Sequence, residues 1–362
     1  MSYPWFKANL EKKFVLNNLK SIVKHNSLTM GKYCYELENK LKKILNMKYV
    51  VLTTSGTSAL FLASLASGIN KNKKVYLSNL NWVATSNPPK FLGSKISMID
   101  TKNKSDQIDF QKLNKLIKKS KPDVVFLTHL NGEPTYNTEF LNLKKKKKFI
   151  VIEDSAQAFM VKTNNKKFCG TIFDIGCFSL SVTKLSSMIY GGFCVTNNKI
   201  LAEKMRAIRN NGVSALPENA WLQTSSITGL NLKPSNLHAI FGLQNLKGIH
   251  KHIQKVKKIH NYYSQNLNNK KIKFIKKNIK RVIPIYNYIE TKNRRKFISF
   301  CKKKKIGIHL GIRGLHENKP FKASKKKYTN SQYFSDYMVR IPSGPGYSIS
   351  EIKKICNTLN KF

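Results

Sequence analysis

From about residue 49 to 200, short apolar runs rich in β-branched residues alternate with stretches of helical period, and no other feature constrains the fold as strongly. The candidate strands are 49–52, 75–77, 96–99, 124–127, 149–152, 177–180 and 193–196. They are almost continuously apolar, and helix-period segments such as 58–66 and 110–118 lie between several of them. A strand that is apolar on both sides needs cover on both faces, so this pattern predicts a sheet between two helical layers. The expected fold class is α/β, a three-layer α/β/α domain.

A long amphipathic stretch follows Pro234, through Leu237, Ile240, Leu243, Leu246 and Ile249 to about residue 267. Pro234 suits the first turn of such a helix. Beyond 270, strand-like pieces at 282–285, 306–310 and 338–341 and a terminal helix at 350–359 predict a smaller α+β lobe. The expected division is a large domain over residues 1–245, with a helical segment over about 1–48, and a small domain over 246–362. The helix over about 234–267 would join them. Pro88 and Pro89 interrupt an apolar helical pattern and fit best if that helix begins there.

The 362 residues are 41% hydrophobic, enough for a substantial core, and the composition excludes collagenous, coiled-coil and largely disordered chains. No apolar run approaches the roughly 20 residues that span a bilayer. The start, MSYPWFKANLEKKF, has no apolar signal region, so a cytoplasmic protein is expected. Charge is the unusual entry: 66 Lys+Arg against 18 Asp+Glu gives +48. Lysine runs at 144–148, 302–305 and 325–327 would suit a polyanion. The lysines nevertheless occur along the whole chain with abundant Asn and Ile, as AT-rich coding would produce, and no nucleic-acid-binding motif stands out. Specific nucleic-acid binding is therefore not expected, while a small anionic substrate would be favoured. Cys34, Cys169, Cys177, Cys194, Cys301 and Cys356 form no metal-site spacing and read as reduced packing residues.

Three motifs fall at the carboxyl ends of candidate strands, where ligands gather in open α/β sheets. Thr54-Ser55-Gly56-Thr57-Ser58 opens a helix, and free N–H groups at a helix start bind phosphate. The same residues would serve as a helix cap. Glu153-Asp154-Ser155-Ala156-Gln157 delivers a carboxylate at the edge of a buried strand. Ser179-Leu180-Ser181-Val182-Thr183-Lys184 ends thirty residues after Asp154. Each is ordinary alone; their order and spacing are not.

In that order the chain resembles the DegT/StrS family of pyridoxal-phosphate-dependent nucleotide-sugar aminotransferases, from about residue 31 to 242 and more loosely beyond. The matching residues include Gly31-Lys32, Tyr35-Glu36-Leu37-Glu38, Ser55 to Leu60, Trp82-Val83-Ala84-Thr85, Phe91-Leu92-Gly93 and His129-Leu130-Asn131-Gly132. Further on they include Glu153 to Ala158, Asp174 to Ser179, Thr183-Lys184, Gly191-Gly192, Arg206, Arg209 to Gly212 and Gly229-Leu230-Asn231. The resemblance implies a fold-type-I transferase with a mostly parallel seven-stranded sheet and pyridoxal 5'-phosphate as cofactor. It implies that Lys184 is the Schiff-base lysine, that Asp154 pairs with the pyridinium nitrogen, and that Gln157 lies near the phenolic oxygen. Ser179, Gly56 and Thr57 would hold the phosphate, and Trp82 would stack on the ring. Asn231 matches a residue that reaches the phosphate from the neighbouring subunit, which implies a homodimer with shared active sites. Arg313 and His316 fall in the small-lobe motif on the substrate side. The reaction implied moves an amino group from an amino acid, usually glutamate, to a nucleotide-linked keto-sugar for surface polysaccharide or glycan synthesis. Relatives that dehydrate sugars carry His in place of the lysine, so Lys184 favours transamination. A cofactor-binding relative with altered activity and a polyanion-binding protein are the alternatives.

Overall fold

The computed structural model describes residues 2–9, 12–24, 27–213, 225 and 227–362. Seven strands form the large sheet: β1 (Tyr49–Thr53), β2 (Lys74–Ser78), β3 (Lys95–Ile99), β4 (Val124–Thr128), β5 (Ile150–Asp154), β6 (Ile175–Ser179) and β7 (Gly192–Thr196). Their spatial order is β1-β7-β6-β5-β4-β2-β3. Only β7 runs antiparallel to its neighbours, β1 and β6; the remaining pairs are parallel. The sheet is thus the mostly parallel one expected, and each of the seven candidate strands between 49 and 196 overlaps an observed one.

Helices α1 (Lys12–Lys24), α2 (Lys32–Leu45), α3 (Gly56–Ala66), α4 (Val83–Phe91), α5 (Phe110–Lys119), α6 (Thr138–Lys147) and α7 (Lys199–Arg209) surround it. Alternate residues of each strand serve opposite layers. Val50 and Leu52 of β1 pack with Leu37 and Leu41 of α2, whereas Val51 packs with Ala59 and Leu62 of α3. In β4, Val125 and Leu127 pack with Leu113 of α5 and Phe140 of α6, whereas Val124 and Phe126 join the α3 layer. Double coverage explains why these strands read as unbroken apolar runs.

The stretch after Pro234 is two helices, α8 (Asn236–Lys247) and α9 (Ile249–Asn266), not one. They meet at Gly248, a poor helix former whose missing Cβ leaves room for the His252 ring. Helix α4 starts at Val83, five residues before the prolines at which it was expected to begin. Just before that start Asn81 Oδ1 accepts the Trp82 N–H, and at the other end the Ser94 hydroxyl donates to the Pro89 carbonyl.

The second sheet is antiparallel, ordered β10-β11-β9-β8 from β8 (Lys273–Phe274), β9 (Asn287–Glu290), β10 (His309–Leu310) and β11 (Met338–Ile341). Helices α10 (Arg294–Lys303), α11 (Thr329–Tyr337) and α12 (Ile349–Leu359) complete the chain. Residues 282–285, expected to be a strand, form none: Pro284 has no N–H for a ladder, and pairing begins at Asn287. The 306–310 strand shrinks to two residues because Ile306 and Gly307 pair with Tyr3 of the amino-terminal segment. That segment continues along Ser343, with Ser343 N–H donating to the Trp5 carbonyl, and brings Trp5 inward. Ile289, Val339 and Ile341 face α9 and α12, so Tyr288 and Arg340 emerge on the opposite face, toward the large sheet. All six cysteines are buried and unpaired. Among the described residues no helix is long and apolar enough to cross a membrane.

Candidate active site

A cavity of about 370 Å³ opens between the carboxyl ends of β4, β5 and β6, the first turn of α3, and the inner face of the small sheet. Gly56, Thr57, Trp82, Asp154, Gln157, Ser179 and Lys184 all line it.

Helix α3 aims its amino terminus at the cavity. Ser55 caps it, its Oγ accepting the Ser58 N–H at 2.9 Å, which leaves the earlier amides without helical partners. Two glycines permit this position. A Cβ on Gly56 would sit 2.7 Å from the Ser179 Cβ, and one on Gly192 would sit 2.5 Å from the Ser55 carbonyl carbon. Helix start and β6 end therefore meet in a polar cradle with the Ser179 and Ser181 hydroxyls beside free amides. Such a cradle suits phosphate.

Consecutive residues of β5 point to opposite sides of the sheet, so Glu153 and Asp154 have different fates. Glu153 is fully buried: it accepts the amides of Gly170, Ile172 and Phe173 and lies 2.9 Å from His129 Nε2. His129 Nδ1 accepts the Thr135 N–H, so Nε2 carries the proton that bridges to Glu153. Asp154 turns into the cavity, holding the Ala156 amide at 3.1 Å on Oδ1 and the Thr85 hydroxyl at 2.5 Å on Oδ2. Gln157 Oε1 accepts the Asn131 N–H at 3.0 Å, which fixes the amide and leaves Nε2 as the group facing the cavity.

Lys184 lies in the turn after β6. Its Nζ donates to the Tyr286 hydroxyl at 3.2 Å, and that hydroxyl donates to the Thr183 carbonyl at 2.9 Å. Burial raises the Tyr286 phenol, but the charges of Lys184 and Arg340 outweigh it and hold the group below its ordinary value. Tyr286, Arg340, Trp5 and His309 also line the cavity and were not singled out in the sequence. They come from the amino terminus, the second sheet and the residue just before β9, and no local motif announces them.

The other three candidates lie outside the cavity lining. His316 is buried elsewhere: Nδ1 meets the Asn79 amide at 2.8 Å and Nε2 meets Gln332 Oε1 at 2.9 Å, so it clamps the end of β2 to α11. Arg313 is half-exposed and paired with Glu317 at 2.6 Å. Asn231 is exposed and bridges Asn210 through its backbone.

A phosphate cradle, a buried carboxylate and a lysine amine lining one cavity fit a phosphorylated, nitrogen-containing aromatic cofactor. A sequence model of the DegT/DnrJ/EryC1/StrS aminotransferase family matches residues 9–360. GDP-perosamine synthase of Escherichia coli O157:H7 is 30% identical over 239 residues, 66% of this chain and 64% of that protein. UDP-4-amino-4,6-dideoxy-N-acetyl-beta-L-altrosamine transaminase of Campylobacter jejuni is 30% identical over 252 residues, 69% of this chain and 66% of that protein. These matches thus span just under two thirds of each relative's length. The PLP form of the putative sugar aminotransferase Spr1654 from Streptococcus pneumoniae superposes with a TM-score of 0.89 at 16% identity, covering 100% of this chain and 97% of that one. With the family match running almost end to end and the fold agreeing along its whole length, the chain belongs to the DegT/DnrJ/EryC1/StrS aminotransferase family.

Proposed function

We propose that the protein is a pyridoxal-phosphate-dependent aminotransferase that moves an amino group from an amino acid, glutamate as the resemblance implies, to a nucleotide-linked keto-sugar. The observation that carries this reading is the convergence of Asp154 from β5, Lys184 from the turn after β6 and the α3 amino terminus on one cavity. The names of the relatives, one a synthase named for a GDP-linked sugar and one a transaminase named for a UDP-linked amino sugar, support the substrate class.

When bound, the cofactor supplies the electron sink that makes a carbon-bound proton labile. The chain's residues do the rest. The amides of Gly56 and Thr57 and the Ser179 hydroxyl would hold the phosphate. Asp154, oriented by Thr85, would keep a proton on the ring nitrogen. The Gln157 Nε2 would donate to the ring oxygen, and Trp82 would cover one face. Lys184 Nζ would move the proton, with the Tyr286 hydroxyl as its resting partner.

The same reading has the large lobe over 1–245 hold the cofactor and the small lobe over 246–362 cover it. It also takes a second copy of this chain as partner. Phe61, Leu65, Phe91, Leu92, Leu230 and Leu232 line an apolar groove of about 540 Å³ that shares Ser55 and Thr57 with the cavity. Phe91 is 82% exposed there, and Asn231 is adjacent. A dimer across this groove would bury it and carry Asn231 toward the partner's phosphate. Light scattering should then give twice the chain mass, and Phe91→Glu should give monomers; a monomeric wild type would refute the shared site.

The activity is tested by supplying glutamate and a panel of nucleotide 4-keto and 3-keto sugars and following 2-oxoglutarate and amino-sugar products. Product with at least one sugar is expected; none with any of them, from protein carrying the cofactor, would favour a relative with altered chemistry.

A further inference from the structure

Lys277 belongs to the small lobe, between β8 and β9, and its side chain is only 16% exposed. Its Nζ lies 3.3 Å from Asp106 Oδ2 and 3.3 Å from Glu133 Oε1, both of the large lobe. The chain has 18 acidic residues against 66 basic ones, so two carboxylates meeting at one lysine do not follow from the lysine excess. Burial lowers the Lys277 amine, but the charges of Asp106 and Glu133 outweigh it and hold the group above its ordinary value. The backbone of Lys277 is anchored in its own lobe: its N–H donates to His260 Nε2 of α9 at 3.0 Å, and His260 Nδ1 donates to Asn287 Oδ1 at 2.8 Å.

An ion pair taken out of water returns little net stability, because desolvation offsets the attraction. Stability is therefore a poor account of this lysine's place, and its connections are a better one. Asp106 Oδ2 also accepts the Asn131 Nδ2 at 2.7 Å. Asn131 lies in the turn after β4 with a φ of 53°, a left-handed conformation that needs support from its surroundings. Its N–H donates to Gln157 Oε1 at 3.0 Å, the one hydrogen bond of the Gln157 side chain among the described residues. Gln157 lines the cavity. A continuous chain of polar contacts thus runs from Lys277 in one lobe, through Asp106 and Asn131, to Gln157 in the other.

We propose that Lys277 is a positioning residue: it holds Asp106 against Asn131 and so keeps the Gln157 amide turned with Nε2 toward the cofactor's ring oxygen. The inference rests on the reading of this cavity as the pyridoxal-phosphate site. Without the ammonium, Asp106 and Glu133 repel each other and Asn131 loses its fixed acceptor. Gln157 Oε1 then loses the donor that stops its amide from turning over. A hydrogen bond to an oxyanion favours the ionised form, so a Gln157 that no longer donates leaves the ring oxygen with a higher proton affinity. The seating of the small lobe and the contact at the ring oxygen are in this way linked.

The test is a pH titration of the visible band of cofactor-loaded protein, together with thermal unfolding. The proteins are wild type, Lys277→Met, Glu133→Gln, Asn131→Gly and the double variant of Lys277→Met with Asn131→Gly. Asp154, Lys184, Tyr190, Tyr286, His309 and Arg340, the titratable groups lining the cavity, are unchanged in all of them. Lys277→Met is expected to raise the midpoint of the band by about one pH unit, a tenfold gain in proton affinity. Glu133→Gln weakens the same ion pair but leaves the chain to Gln157 whole, so it should lower the unfolding temperature and leave the midpoint in place. Asn131→Gly keeps the backbone amide and tolerates the positive φ but drops the contact with Asp106. It should raise the midpoint, and adding Lys277→Met to it should raise it no further. A midpoint unmoved in Lys277→Met or in Asn131→Gly, or moved as far by Glu133→Gln, overturns the inference and leaves Lys277 as a clamp between lobes. If Lys277→Met does not fold, Asn131→Gly against Glu133→Gln decides alone. A wild type with no visible band would instead refute the cofactor reading, and this inference with it.

Discussion

On the large-sheet side of the cavity most polar side chains already have partners inside the protein: Asp154 has Thr85 and Ala156, Gln157 has Asn131, and Glu153 behind them takes three amides and His129. The small-sheet side carries the buried guanidinium of Arg340, bonded to the neutral Tyr288 phenol, among aromatic rings. Hydrogen-bonded groups hold their geometry without a ligand, which suits a wall that grips one unchanging cofactor. A guanidinium held by a neutral phenol leaves no buried carboxylate behind when it is replaced, so the two sides should answer substitution differently.

Substitutions on each side sharpen that contrast. The largest effect is expected from Lys184→Ala, with turnover falling by about 10⁴-fold or more because the group that moves the proton is gone; steady-state assays check this. Next is Glu38→Ala, which strands Arg209, its hydrogen-bonded partner at 2.8 Å, as a buried charge and should cost about 3–5 kcal/mol in denaturant unfolding. Arg340→Gln leaves no buried carboxylate behind and should cost far less, so equal losses for the two would break the distinction between balanced and unbalanced arginines. Asp154→Asn should lower turnover on the order of 10²–10³-fold through loss of a fixed charge at the ring, with the fold unchanged by circular dichroism. Gly56→Ala drives a methyl group into Ser179, and a loss of about tenfold in cofactor affinity, ~1.4 kcal/mol, is expected by titration.

The smallest effect comes from a pair outside the cavity lining. Lys7 and the Ser348 amide bind Glu351 and hold its carboxyl down at about 2, below the usual carboxylate range. A depressed folded-state value means stability that is present above about pH 4.5 and lost as pH falls toward 2. Solvent screening limits this to about 1 kcal/mol. Glu351→Gln should remove that part of the acid dependence in unfolding curves between pH 2 and 5.

The large sheet was legible because burial on two faces writes itself into contiguous apolar runs, and the large-sheet wall of the cavity was legible because its groups lie within a few residues of strand ends. Ser55 to Thr57, Asp154 to Gln157 and Ser179 to Lys184 are local motifs. The facing wall is not local. Trp5 arrives through pairing of the amino terminus with residues 306, 307 and 343, and Arg340 faces inward only because Val339 and Ile341 face the small-lobe core. A single-residue change of register would reverse that, and sequence periodicity does not fix it in a four-residue strand. His316 drew attention by its motif, yet it is held by Asn79 and Gln332, partners distant in sequence. Pro284 explains the strand that did not form, a signal present in the sequence but outweighed there by its apolar neighbours.

The most direct test of the cavity's assignment is the visible spectrum of protein loaded with pyridoxal phosphate, before and after borohydride, with peptide mass mapping of wild type and Lys184→Ala. A visible band that borohydride removes is expected, with the reduced cofactor fixed covalently on Lys184 and the band missing from the variant. In a chain this rich in lysine, a colourless wild type, or label on any lysine other than Lys184, would contradict the assignment of this cavity.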